Sequence, residues 1–156
     1  MSNEIQENLS RSLIRFGMIL FTIGLFTGFL IPFLRNPRMG LSSHLEALMN
    51  GMFLILAGLV WPKLRVSNRT QKFGFWISLY GTYTNWLTTF LAGIWGAGAS
   101  MMPIAGNELI GSGWQEGLIK FGLISLSFAI VIVSGIILWG LRGKVSGNKS
   151  QDSNDG

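Results

Sequence analysis

The 156-residue chain has no cysteine and a single histidine, and only 12% of its residues are charged. Without cysteine there is no disulfide framework, no thiolate-bound metal and no thiol nucleophile. That leaves His44 as the one strong nitrogen donor. A Gly-rich nucleotide loop, a paired acid and base, and a nucleophile elbow are also missing, which removes nucleotide-driven and triad-type chemistry. A transporter or proton relay would carry more intramembrane ionisable groups than His44 and Glu46.

What the chain does have is apolar residues, 49% of the total, with a positive mean hydropathy. At this length such a composition describes one membrane-embedded domain. The net charge of +5 would suggest nucleic acid in a soluble protein. Here Lys and Arg gather between apolar runs, so topology explains them and no nucleic-acid partner is expected.

Four apolar runs, about 14–34, 43–61, 73–102 and 118–141, are each long enough to cross a hydrocarbon core of about 30 Å as a helix. The expected fold is all-α: an integral-membrane four-helix bundle over 13–143, after a polar N-terminal segment, 1–12. The polar tail 144–156 has almost nothing to bury and is expected to be disordered. The first run follows Arg11 and Arg15 as a signal peptide would. It is too long for an h-region, however, and leads into Arg35-Asn-Pro-Arg38 in place of a cleavage site, so it is read as retained. The third run exceeds one crossing and should tilt, or end near Gly96-Ala-Gly-Ala and continue as an interfacial loop. Within the first run, Gly24 and Gly28 are spaced to let another helix approach closely.

Four spans place both termini and the 62–72 connection on one side. That side collects Arg11, Arg15, Lys63, Arg65, Arg69, Lys72, Arg142, Lys144 and Lys149, against Arg35 and Arg38 opposite, with Lys120 near a span edge. The positive-inside bias puts both termini in the cytoplasm of a bacterial-type inner membrane, and His44 near the outer end of its span. Trp61, Trp86, Trp95, Trp114 and Trp139 are expected mostly as interface anchors.

Polar groups carried into a bilayer are costly unless partnered, so they are functional candidates. At the entrance to the second run stand His44, Glu46 and Asn50; within the third stand Tyr83, Asn85 and Thr89. His44 reads as a ligand to a metal or haem iron, against the plainer alternative of an imidazole bonded to a headgroup or backbone carbonyl. Glu46 would orient that ring or cap the helix start. Residues on a helix turn by about 100° each, so His44 and Asn50 diverge by about a third of a turn. They would not share one cavity in one subunit, although in a symmetric oligomer one could face a cofactor and the other a neighbour's. Asn85 has both donors and acceptors to satisfy, from a substrate cavity or from another helix. Thr84, Thr88 and Thr89 can bond back to their own helix.

The run Arg35-Asn-Pro-Arg-Met-Gly-Leu-Ser-Ser-His-Leu-Glu46, with Asn50-Gly-Met-Phe, Trp76 to Trp86 and Trp95-Gly-Ala-Gly98, resembles the small membrane hydroxylaminobenzene mutases. More distantly, it is similar to styrene oxide isomerases, which share the His-x5-Asn-Gly pattern. The resemblance covers about residues 13 to 143. It implies an isomerase that converts a small lipophilic aryl hydroxylamine to a 2-aminophenol within one molecule. It also implies a homotrimer in the bilayer with haem b near the subunit interface, His44 as axial ligand and Asn50 at the open face. Asn85 and Tyr83 complete the implied catalytic set. In styrene oxide isomerases a tyrosine follows the third-span asparagine by one turn. Thr89 stands there in this chain, which weakens the epoxide-to-aldehyde alternative and leaves Tyr83 as the substitute. The competing class is a non-catalytic haem membrane protein, a sensor or electron carrier.

Overall fold

A computed structural model describes residues 2–106 and 108–142. The tail expected to be disordered lies outside the described residues. The chain forms α1 (Ser2–Leu30), a 3-10 turn, α2 (Pro37–Val60), a second 3-10 turn, α3 (Asn68–Trp95), the single turn α4 (Pro103–Gly106) and α5 (Gly113–Gly140). There is no strand among the described residues.

The helix boundaries follow from capping chemistry. The Asn36 side chain accepts from the Arg38 and Met39 N–H groups, and Pro37 occupies the first turn, where its missing donor costs nothing. α2 therefore starts ahead of the apolar run expected to begin at 43, and His44 sits about two turns inside the helix. The polar segment 1–12 likewise supplies the first turns of α1. The third apolar run stops at Trp95, where Gly96 takes a left-handed φ of 62° and its N–H closes on the Ala92 carbonyl. The expected break near Gly96 is therefore present. α5 opens with a reciprocal Ser112/Gln115 capping box.

Three of the long helices are apolar and long enough to cross a membrane: α1, α2 and α5. α3 is as long as α5, but Gln71, Ser78, Thr82, Asn85, Thr88 and Thr89 dilute its apolar character. Its path follows from what its ends touch. Gln6 Nε2 donates to the Trp61 and Leu64 carbonyls (2.7 and 3.0 Å), and the Arg65 N–H to Gly140 O (2.9 Å). The start of α1, the α2–α3 connection and the end of α5 thus share one end of the bundle. At the other end the Asn36 N–H donates to Gly93 O (2.9 Å), close to the end of α3. α3 accordingly runs the full height of the bundle, making four antiparallel helices. Three of its buried hydroxyls are satisfied within the helix: Ser78 donates to Gly74 O (2.6 Å), Thr82 to Ser78 O (2.8 Å) and Thr89 to Asn85 O (2.9 Å).

α1 and α2 lie unusually close. A methyl group at Gly51 would stand 2.8 Å from Gly17 O and from the Phe21 nitrogen, and one at Gly24 would meet Ala47 Cβ at 2.9 Å. Ser10 closes the same seam by donating to Gly58 O at 2.7 Å. Small residues here let backbones touch, which is how helices gain contact where water gives no hydrophobic drive.

Not all the tryptophans are anchors. Trp61 is fully buried in the core, and Trp86 stacks on Phe90 while its indole N–H donates to Thr27 Oγ1 (3.1 Å). Trp95 and Trp114 meet edge to face at 5.0 Å, and Trp139 is exposed.

Asn36 fastens the end of the bundle opposite the α2–α3 connection. Besides capping α2, its buried amide donates to the Ala105 and Gly106 carbonyls (2.9 and 3.1 Å). Asn36→Ala removes one cap and two buried hydrogen bonds, a loss of about 2–3 kcal/mol. Denaturant unfolding of the detergent-solubilised protein should show a lowered midpoint, and an unchanged midpoint would contradict this role.

Candidate active site

His44 faces α1. Its Nδ1 lies 2.8 Å from Gly24 O. A carbonyl only accepts, so Nδ1 carries the proton and the neutral ring keeps its free lone pair on Nε2. The contact needs Gly28, because a methyl group there would come within 2.9 Å of Nδ1. An imidazole with one nitrogen fixed on a backbone carbonyl and the other free is the usual arrangement of a ligating histidine. Among the described residues no group of three His, Cys, Asp or Glu side chains could hold a metal ion. The donor set therefore does not suit a bare metal. A group that brings most of its own ligands, as haem does, would need only the one free nitrogen that His44 could offer.

Glu46 turns to the opposite flank of α2, beside Thr89 of α3. Its expected service to the imidazole is taken by the Gly24 carbonyl. The Thr89 hydroxyl is committed to the Asn85 and Trp86 carbonyls (2.9 and 3.1 Å), and Glu46 Oε2 is buried without a hydrogen-bond partner. Asn50 follows Glu46 by one turn, and Asn85 precedes Thr89 by one turn. In an antiparallel pair, the register that sets Glu46 beside Thr89 brings Asn50 to the level of Asn85. Glu46, Asn50 and Asn85 are all half-buried, and together they make a polar seam along α2 and α3.

Tyr83 does not join them. It sits about 200° around α3 from Asn85, and its hydroxyl donates to Phe16 O of α1 at 2.9 Å. It lines an open apolar groove of about 570 Å³ with Phe16, Ile19, Trp76 and Tyr80 among others. The candidate residues thus separate into three places: His44 against α1, the Glu46/Asn50/Asn85 seam against α3, and Tyr83 in the α1–α3 groove.

Two contributors escaped the sequence reading. The identity of the backbone carbonyl that holds the imidazole, that of Gly24, is one; a backbone carbonyl was among the partners expected for His44, but the Gly24/Gly28 spacing signalled only a close helix and not which side chain would fill the gap. Glu116 organises the 96–112 connection. Its Oε1 accepts from the Gly98 and Gly111 N–H groups (2.8 and 3.1 Å), and its Oε2 from Ser100 Oγ (3.2 Å). An acidic residue in the first turn of α5 was the only signal for this role.

Fold and site together define a small polytopic α-helical membrane protein with one anchored imidazole and one internal polar seam. A family model described as styrene oxide isomerase matches residues 9–142, and the chain belongs to that family. It is 54% identical over 134 residues to hydroxylaminobenzene mutase HabB of Ectopseudomonas oleovorans, covering 86% of this chain and 82% of that protein. To hydroxylaminobenzene mutase HabA of the same organism it is 45% identical over 125 residues, 80% of this chain and 93% of that one. No solved structure matches the chain.

With one histidine per chain, ¹⁵N-histidine NMR of the neutral, ligand-free protein gives a single pair of ring resonances. Nδ1 should be pyrrole-like and Nε2 pyridine-like; the reverse pattern would break the Gly24 contact.

Proposed function

We propose that the chain is a membrane isomerase that shifts a hydroxyl group within aryl hydroxylamines, converting hydroxylaminobenzene to 2-aminophenol. The observation that carries this is the 54% identity to a hydroxylaminobenzene mutase over 86% of the chain. The site agrees with it chemically. The reaction breaks an N–O bond, forms a C–O bond at the ortho carbon and moves a proton from that carbon to nitrogen, so it needs no redox partner. A small neutral aromatic molecule partitions into the bilayer and reaches the seam without crossing water. The Asn50 and Asn85 amides offer donors and acceptors to its N–H and O–H groups, and a dry setting delays capture of the electrophilic ring by bulk water.

Haem b belongs to the same proposal. His44 is the residue that would hold it, through Nε2, and bound iron supplies Lewis-acid polarisation of an oxygen. A homotrimer with both termini cytoplasmic completes the arrangement. The exposed apolar face of α2, with Leu45, Met49 and Met52, suits lipid or neighbouring copies.

The description of the matching family favours a second reading, epoxide isomerisation. Against it, the Tyr83 hydroxyl is engaged with Phe16 O, and Thr89 stands one turn beyond Asn85 with its hydroxyl already used. The test sets hydroxylaminobenzene beside styrene oxide, in ¹⁸O-labelled water, with purified protein. The expected product is unlabelled 2-aminophenol. In His44→Ala, turnover and haem absorbance should disappear together. Water-derived oxygen in the product would contradict intramolecular transfer, and undiminished activity of His44→Ala would remove the imidazole from the mechanism.

A further inference from the structure

The hydroxyls along the middle of α3 divide into two sets. Ser78, Thr82 and Thr89 return their protons to carbonyls of their own helix. Thr84 and Thr88 do not: among the described residues neither hydroxyl has a hydrogen-bond partner, although Thr88 is only 7% exposed. An unmet hydroxyl in a low-dielectric interior costs free energy, so a buried threonine that leaves its own helix's carbonyl unused is free to bind something else. Both line a cleft of about 190 Å³ between α3 and α5, walled also by Tyr80, Leu87, Phe121 and Gly122 among others. An apolar cavity of about 150 Å³ in a protein core holds a benzene molecule, so this cleft has room for a ring with small substituents. Gly122 keeps it open, because a methyl group there would stand 2.5 Å from Thr88 Oγ1. At the rim, Ser125 Oγ gives its only proton to Gly122 O (3.0 Å). Tyr80 therefore donates to Ser125 Oγ (2.8 Å), and its phenol oxygen is left as an acceptor. Ser43, next to His44, donates to Trp86 O (3.2 Å), which sets the Thr84–Thr88 turn at the imidazole's level in the bundle.

We propose that the α3–α5 cleft is a binding site for one small, uncharged arene bearing a hydroxyl or hydroxylamino group. The Thr84 and Thr88 hydroxyls donate to the ligand's oxygen, the Tyr80 oxygen accepts its proton, and Leu87 and Phe121 cover its ring. An acyl chain in the same cleft would leave both threonine hydroxyls unmet, and a charged ligand would find no counter-charge among the lining residues. A neutral arene with one polar group meets the donors, the acceptor and the apolar wall together. That this arene is the hydroxylamine or the aminophenol of the isomerisation rests on the aryl-hydroxylamine reading above; the fit of the cleft does not. The site lies between α3 and α5, apart from both His44 and the polar seam, so it binds such a molecule without taking part in the chemistry.

The test maps the site directly. 4-Azidophenol is a photoreactive arene of this size and chemistry, and azidobenzene is the same molecule without the hydroxyl. Irradiated with the purified protein, 4-azidophenol should label residues within 84–91 and 118–122, and excess phenol should suppress that labelling. Suppression by 2-aminophenol as well ties the site to the reaction. In Thr84→Val/Thr88→Val, which keeps the side-chain shape, labelling by 4-azidophenol should fall about tenfold, as loss of two hydrogen bonds implies. Azidobenzene should label that variant as it labels the wild type. Label spread over the lipid-facing residues of every helix, and unmoved by either competitor, is what partitioning into an apolar phase gives, and it overturns the proposal. Equal labelling of wild type and valine variant by 4-azidophenol overturns it too. If the variant fails to fold, the wild-type map alone decides. Absence of 2-aminophenol after incubation of the wild-type protein with hydroxylaminobenzene overturns the functional reading, while the label map still decides the cleft.

Discussion

The close approach of α1 and α2 is the constraint on which the rest of the molecule depends. Gly51 lies on the backbone of Gly17 and Phe21, with no space for one methyl group. The same approach continues up the helix pair, through Gly24 on Ala47 and Gly28 on His44. In a bilayer this kind of contact replaces the hydrophobic drive that packs soluble helices. It also has a chemical consequence, because it brings a backbone carbonyl of one span within 2.8 Å of a ring nitrogen on the next. The packing of two helices and the tautomer of the only imidazole are thus a single fact.

α2 presents different chemistry on its two flanks. One faces α1 and carries a ring with a fixed proton; the other faces α3 and carries a carboxyl and an amide, with a second amide across the seam. The 160° between His44 and Glu46 on an ideal helix, about 100° per residue, is enough to separate them. Asn36 holds this arrangement at one end of the bundle by tying the start of α2 to α4 and to Gly93 of α3. α3 carries several of the bundle's polar residues and still spans its full height, because the buried Ser78, Thr82 and Thr89 hydroxyls bond within the helix.

Much of this was legible from the residues. Runs of apolar sequence set out the long helices, and the glycines at 96 and 98 announced the end of the third. The divergence of His44 from Asn50 followed from spacing alone. The early start of α2 was less legible, because hydropathy begins at 43 whereas the cap that starts the helix is Asn36-Pro37. What spacing could not supply was the partner of each polar group. A carbonyl has no sequence signature, so the plainer reading of His44 offered a backbone carbonyl as its partner without naming Gly24, and Glu46 stood as a second candidate for orienting the ring. Nor does an aromatic residue at a span end declare itself: Trp61 lies in the core, whereas Trp139 is exposed. Tyr83 and Asn85 are two residues apart and read as one site, yet a helix sends them to different neighbours.

Gly28 offers the most direct measurement of whether α1 positions the imidazole. Gly28→Ala places a methyl group against the His44 ring, while Gly135→Ala, on α5, meets nothing within 4 Å. Turnover of hydroxylaminobenzene by the two variants, at matched helix content, isolates the contact. The account predicts at least a tenfold loss for Gly28→Ala and wild-type rates for Gly135→Ala. Equal, undiminished rates in both would contradict it.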